Sequence, residues 1–212
     1  MKKFFTLILI VAAFTSLSQA QMQIGPKAGL NLANIGGGDK DILEQALGIS
    51  LDSRTGFGGG IFFMYQFSNL FAIQPEAYYT MKGATAKIMG VDITLAYDYI
   101  EVPVLLKLII PVEGSNIRPS IFAGPAIGFN TAAKVKGEYE GESEEEDLKD
   151  YTKSTEFSLA FGGGIGFMVG KNELGVDVRY ILGLTTTDDS EDEADLKNNV
   201  ININVYFGFS LL

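Results

Sequence analysis

Asn199 to Leu212 reads NVININVYFGFSLL. Ile201, Ile203, Val205, Phe207, Phe209 and Leu211 take every second position, and Asn202, Asn204, Tyr206, Gly208 and Ser210 fill the places between. Successive side chains of an extended chain point to opposite faces, so this alternation predicts a strand with one apolar and one polar face. Strands of soluble domains average about 5–6 residues. A tilted strand that crosses a bilayer needs about 9–11, with lipid on one side and a polar interior on the other. The length of the alternation favours the second.

The same pattern recurs upstream. Gln23 to Ile35 sets Ile24, Pro26, Ala28, Leu30 and Leu32 against Gly25, Lys27, Gly29 and Asn31. Thr55 to Phe67 presents Phe57, Ile61, Phe63, Tyr65 and Phe67 on one face. The pair Ser68-Asn69 then turns into Leu70 to Lys82, where Phe71, Ile73, Ala77, Tyr79 and Met81 alternate with Gln74, Glu76, Tyr78 and Lys82. So short a turn between long alternating runs predicts a hairpin. Four further strands are expected at Ile93–Ile109, Ile117–Ala132, Thr155–Val169 and Glu173–Thr186, ahead of the terminal one. Pro103, Pro119 and Pro125 fall inside two of them and predict a bulge or kinked corner, because proline donates no ladder hydrogen bond. Asp41 to Leu51 is expected to form one or two helical turns in the first long connection.

Eight strands joined by connections that alternate long and short predict an all-β fold: an eight-stranded antiparallel up-and-down transmembrane β-barrel, its short turns and both termini periplasmic. The long connections are Gly36 to Arg54, Gly83 to Asp92, Ala133 to Ser154 and Thr187 to Lys197. Aromatic residues gather at both strand ends, with Tyr65, Phe67, Phe71, Phe167 and Phe209 at one rim and Phe57, Tyr79, Phe129, Phe157 and Tyr180 at the other. Such paired girdles mark the two lipid–water interfaces.

The first twenty residues read differently. Lys2 and Lys3 precede the apolar run Phe4 to Phe14, and Ser18-Gln19-Ala20 offers small residues for cleavage. Residues 1–20 are therefore expected to be a signal peptide and 21–212 the barrel domain. The 212-residue chain has no cysteine, which excludes a lipid-modified cysteine and a disulfide staple. Hydrophobic residues make up 47% of the chain, with mean hydropathy +0.19, yet they are dispersed as alternation, and no run after residue 20 is long enough for a membrane helix. A formal charge of −10 argues against nucleic acid as a partner, since phosphate neutralisation needs an excess of Lys and Arg.

Parity places seven charged residues inside the barrel: Lys27, Glu76, Glu101, Lys107, Arg118, Asp177 and Arg179. An eight-stranded barrel is only just wide enough for side chains to fill, which favours a plug of salt bridges over an ion or solute path. The inward glycines Gly58, Gly60, Gly162, Gly164 and Gly166 match no phosphate-binding pattern and serve as space for large neighbours or for curvature. Two acidic stretches, Glu138 to Asp150 and Asp188 to Asp195, offer oxygen ligands for divalent cations such as Ca²⁺, but without EF-hand spacing they read as solvated extracellular loops. Histidine is absent, so histidine-dependent catalytic sets are excluded, and neither a cofactor nor an enzymatic activity is expected.

The segments IGPKAGLNLANI, AIQPEAYYTMKG, YIEVPVLLKL, RPSIFAGPAIGF and YFGFSLL resemble a family of small outer-membrane β-barrels common in Bacteroidetes, the "porin family" or PorT-like proteins. The resemblance spans essentially the whole chain after residue 20. It implies an outer-membrane location, a lipid environment and insertion by the barrel-assembly machinery, and it implies little about activity. Three functions fit the pattern. The leading one is a barrel with a filled lumen and a structural, adhesive or assembly-associated role carried by its extracellular loops. The second is a narrow porin or transporter for ions or small solutes. The third is a soluble periplasmic binder of the lipocalin kind, which would require an apolar interior and a polar outer face.

Overall fold

Period-two alternation becomes a closed wall. The computed structural model describes residues 21–88, 90–139, 142–190 and 194–211, and the signal peptide expected at 1–20 lies outside them. The strands are β1 (Gln21–Gly36), β2 (Asp52–Gln66), β3 (Phe71–Ile88), β4 (Val91–Ile109), β5 (Ile117–Tyr139), β6 (Glu142–Asp147), β7 (Thr155–Val169), β8 (Asn172–Gly183) and β9 (Lys197–Ser210). All pair antiparallel, in the order β1-β2-β3-β4-β5-β7-β8-β9, and β9 returns to β1 through Leu30 opposite Ile203 and Ala33 opposite Val200. That ring has eight strands and leaves β6 outside it, paired with β5 alone among the described residues. The closed ring satisfies every strand edge without water, which hydrocarbon demands.

The apolar members of each alternation face outward. Leu30, Phe57, Leu106, Val178 and Val205 are all more than half exposed on the isolated chain, whereas Lys27, Glu76, Glu101 and Arg179 are buried. A soluble lipocalin-like barrel would reverse these faces, so that alternative is overturned.

Two elements depart from expectation. The connection expected at Gly83–Asp92 is mostly strand: β3 and β4 stay paired from Ala84 opposite Leu95 to Ile88 opposite Val91. The acidic insert expected at 133–154 also continues β5 to Tyr139 and folds back as β6, with Lys136 opposite Glu145. The upper ends of β3, β4, β5 and β6 thus build a four-stranded blade that extends the wall past the ring. Its inner face buries Ala84, Ala86, Tyr97 and Ala133, but no lipid meets its outer face, so the lipid-facing alternation that marks the other strands is missing there. The prolines bring no register change either. Pro103 lies opposite Ala126, and Pro119 and Pro125 lie opposite Ile165 and Leu159, all in continuous register. Each proline forfeits one ladder bond while its neighbours hold the pairing, and the irregularity in β4–β5 sits instead at Asp98/Tyr99.

The turns at 67–70, 110–116 and 170–171 share one end of the barrel with Gln21 and Ser210, here the short-turn rim. At the opposite, long-loop rim, α1 (Lys40–Leu47) lies in the first connection and ends at Gly48. Gly48 adopts φ 64°, a left-handed conformation that glycine takes without a Cβ penalty, and its N–H closes on the Glu44 carbonyl.

Candidate functional site

The lumen is lined by the inward parity of eight strands, and its charges fall into separate groups. At mid-height Lys27 of β1, Glu76 of β3 and Asp177 and Arg179 of β8 converge. Lys27 Nζ stands 2.9 Å from Glu76 Oε1 and 2.8 Å from Asp177 Oδ2. Arg179 grips Glu76 with both terminal nitrogens, at 2.8 and 3.0 Å, a fork geometry that strengthens and orients the pair. Gln74 donates to Glu76 Oε1 at 2.7 Å and Asn204 donates to Asp177 at 2.8 Å. Tyr78 donates to Asn204 and accepts from Asn202, which donates in turn to Asn31. Buried charges survive when they are paired and their remaining lone pairs are filled, and this network does both.

Glu101 joins a different group, nearer the long-loop rim. Lys82 Nζ lies 2.6 Å from Glu101 and 2.5 Å from Glu156, and Asn198 donates to Glu156 at 2.7 Å. Lys82 also sits 5.0 Å from the centre of the Tyr99 ring. Ala33, Leu105, Phe122, Ala160, Ile181 and Val200, each at most 7% exposed, pack as an apolar cluster on the lumen wall. It follows the sheet ladder rather than one level of the lumen: Ala33 pairs with Val200, Val200 with Ile181 and Ile181 with Ala160, whereas Phe122 pairs with Lys107 and its ring lies 5.4 Å from the Arg179 guanidinium.

Toward the short-turn rim, Arg118 pairs with Glu173 at 2.9 Å and donates to Gln66 at 2.5 Å, while Tyr206 donates to Glu173 at 2.7 Å. Lys107 is 5% exposed, has no carboxylate within 4 Å among the described residues, and lies 5.3 Å from the centre of the Tyr206 ring. The seven expected lumen residues therefore all face inward but do not form one cluster. Lys82, Glu156 and Glu173 complete the groups and were missed, although their inward parity was readable: Lys82 and Glu173 stand at ends of expected strands and Glu156 one residue inside another.

Glycine makes room for the large lumen residues. A Cβ on Gly175 would lie 2.3 Å from the Tyr206 ring, and one on Gly58 would lie 2.5 Å from Tyr78. Each tyrosine lies across the backbone of a neighbouring strand, where any side chain would displace it.

The long-loop rim is tied together by short contacts. Ile35, Leu51, Ala84, Ala86, Tyr97, Tyr99 and Ala133 pack as one apolar cluster beneath it. Asp195 N–H donates to Asp39 at 2.7 Å and Gly38 N–H donates to Asp195 at 2.9 Å, joining the first and last long connections. Asp188 accepts from Ala194 N–H at 2.7 Å and from the Ser190 N–H and hydroxyl at 3.0 and 2.9 Å. Burial raises the Asp188 carboxyl, but these donors outweigh it and hold the group below its ordinary value. In the blade, Glu145 bridges Lys134 and Lys136. Of the acidic residues expected to offer cation ligands, Glu140, Glu191, Asp192 and Glu193 lie outside the described residues. Among the described residues no group of three or more His, Cys, Asp or Glu is arranged to hold a metal ion.

This geometry of lipid-compatible outside and ion-paired inside meets its match in sequence. The outer membrane protein beta-barrel domain family matches residues 17–189. The chain belongs to that family. No curated protein matches it. Among solved structures, Ail, the attachment invasion locus protein of Yersinia pestis, is similar at 17% identity and TM-score 0.45, over 88% of this chain and 98% of that one. Neisserial surface protein A is similar at 13% identity and TM-score 0.47, over 88% and 97%. OprG of Pseudomonas aeruginosa stands at 13% and 0.47, over 91% and 95%. Membership of the outer-membrane barrel family places the outward belt of Leu, Ile, Val and Phe against lipid.

Proposed function

We propose that this outer-membrane barrel is non-conducting and that its biological work, structural, adhesive or assembly-associated, is done at the long-loop rim. The observation that carries the reading is a lumen filled by side chains: the ion-paired groups around Glu76 and Glu101 and the buried Leu105, Phe122, Ile181 and Val200 between the walls. Side chains that fill so narrow a barrel leave no width for a continuous water path. The rim offers the contact surface instead, with the acidic blade and the loops stapled by Asp39, Asp188 and Asp195. Function on a barrel scaffold commonly resides in such loops.

Residues 1–20 act as a cleaved signal peptide. The short-turn rim and both termini face the periplasm, and the blade faces outward. Insertion uses the barrel-assembly machinery. The YIEVPVLLK run supports a closer affiliation with the Bacteroidetes PorT-like proteins. The acidic loops meet an extracellular partner or bridge divalent cations to anionic head groups; unchanged proteolysis of the loops in millimolar Ca²⁺ would remove the cation variant.

Planar-bilayer conductance of the mature, heat-modifiable protein is the test. A silent bilayer containing folded protein is the expected result. Steady ion-selective steps would overturn it in favour of a narrow porin or transporter, and Arg118, Arg179 and Glu101 would then be the first lumen residues to replace.

A further inference from the structure

Among the described residues β6 has a partner on one side only. It pairs with β5 from Tyr139 opposite Glu142 to Lys134 opposite Asp147, and no described strand lies beyond it. In an antiparallel ladder, alternate residues turn their backbone groups toward the partner strand and away from it. The Leu148 N–H donates to the Ala133 carbonyl at 2.8 Å, which fixes the phase. Glu142, Glu144 and Glu146 therefore bond to β5, whereas Ser143, Glu145 and Asp147 turn N–H and C=O outward. All six residues of β6 are exposed, so this edge is open to water. Such an edge is a template on which another extended chain can pair.

The side chains beside the edge select its occupant. On the inner face of the blade, cross-strand rows run from apolar residues to glutamates: Leu95, Val135 and Glu146, then Ile93, Gly137 and Glu144, with Tyr139 and Glu142 next toward the tip. A groove of about 340 Å³ lies there, lined by Val91, Gly137, Tyr139, Glu142 and Glu144. The three glutamates of that face make no ion pair among the described residues. On the outer face Glu145 is already bridged to Lys134 and Lys136, and Asp147 stands opposite Lys134. Unneutralised charge therefore lines the inner face alone. Successive side chains of an added strand point to opposite faces, so cations at alternate positions would all meet the glutamate row. Their aliphatic stems suit Val91 and Gly137, and the half-exposed Tyr139 ring suits a cationic head. Charge rules out a second copy of β6 as the occupant, because five of its six residues are acidic and like charges set opposite each other destabilise a strand pair.

We propose that the open edge of β6 docks an extended basic polypeptide segment, with Lys or Arg at alternate positions, which joins the blade as a further strand. This rests on the reading of the long-loop rim as the contact surface and names the chemistry of its partner. The two fail separately, since a conducting bilayer would overturn the closed lumen and leave peptide binding untouched. The test measures, by fluorescence anisotropy, binding of the labelled peptide Thr-Lys-Thr-Lys-Thr-Lys-Thr to the folded protein in zwitterionic nanodiscs. Two isomers of that peptide carry one N-methyl group, on an interior threonine or on the central lysine. With the lysines over the glutamate row, each threonine turns its N–H toward β6 and each lysine turns its N–H away. The expected result is saturable binding that methylation of threonine weakens about tenfold and methylation of lysine leaves unchanged. Ser143→Pro removes one outward N–H without altering charge or a bond to β5, and should weaken binding of the unmethylated peptide by a similar factor. Joint replacement Glu142→Gln, Glu144→Gln and Glu146→Gln should weaken it further. Equal affinity of the two isomers, or full affinity in Ser143→Pro, overturns the proposal. Should Ser143→Pro disturb β6, the two isomers on the unaltered protein decide alone.

Discussion

At the residue scale, the two faces of each strand make opposite demands on charge. Val178 and Ile203 are paired across β8 and β9 and are about half exposed on the lipid side. Val178→Arg or Ile203→Arg should destabilise the folded barrel by about 2–4 kcal/mol, as a cation near mid-bilayer does in other barrels. Denaturant titration in lipid vesicles measures it; no change would overturn the assignment of faces. Inside, Glu76 is the shared partner of Lys27 and Arg179, so Glu76→Leu leaves two buried cations with Asp177 alone between them and should cost about 3–5 kcal/mol. Adding Arg179→Met removes the surplus cation and should restore part of the loss, a coupling that a double-mutant cycle reads directly. Gly175→Leu should cost about 1–3 kcal/mol by driving Tyr206 off its seat. Asp188 behaves differently because it sits in a loop. Its folded pKa is depressed, so the order it contributes is present above the unfolded value of about 3.9 and is lost as pH falls through the folded value. Hydrogen exchange of the described residues from Thr187 to Leu196 should therefore quicken on acidification, and Asp188→Asn should show fast exchange already at neutral pH.

At the scale of elements, the membrane-crossing strands and the blade obey different rules, and their legibility differs for that reason. Thr155–Val169 coincides with β7 to the residue because lipid on one side and polar lumen on the other impose period two along its whole length. Beyond the bilayer, Gly83–Ala96 and Ala133–Asp147 pair just as regularly, yet the outer face meets water and the inner one is built of small residues such as Ala84, Ala86 and Ala133, so the large apolar stripe that reveals a strand is missing. The blade is correspondingly dispensable. Replacing residues 139–148 by a short Gly-Ser turn removes β6, which pairs with β5 alone among the described residues, and should leave the heat-modifiable barrel intact. Gel mobility with and without heating checks this; loss of the folded form would show that the blade is needed for closure.

At the scale of the whole molecule, closure is the stabilising event. Removing β9 would leave β1 and β8 with open edges in hydrocarbon, where each unsatisfied backbone group costs several kcal/mol. A chain ending at residue 196 should yield no heat-modifiable form, whereas the β6 deletion should, and that contrast separates strands that close the wall from one that only extends it. Sequence alone determined which face of each crossing strand meets lipid, because side-chain direction follows from backbone parity and from nothing else. It also determined that Lys27, Glu76, Glu101, Lys107, Arg118, Asp177 and Arg179 point inward. Only the tertiary structure decided which of them meet. Neighbours across a lumen come from strands 49 to 103 residues apart in sequence, as Lys27, Glu76 and Arg179 do, and their heights depend on the tilt and stagger with which the ring closes. That is why Glu101 parts from Arg179, why Lys82 and Glu156 join it, and why Lys107 is left beside Tyr206 with no carboxylate within 4 Å among the described residues.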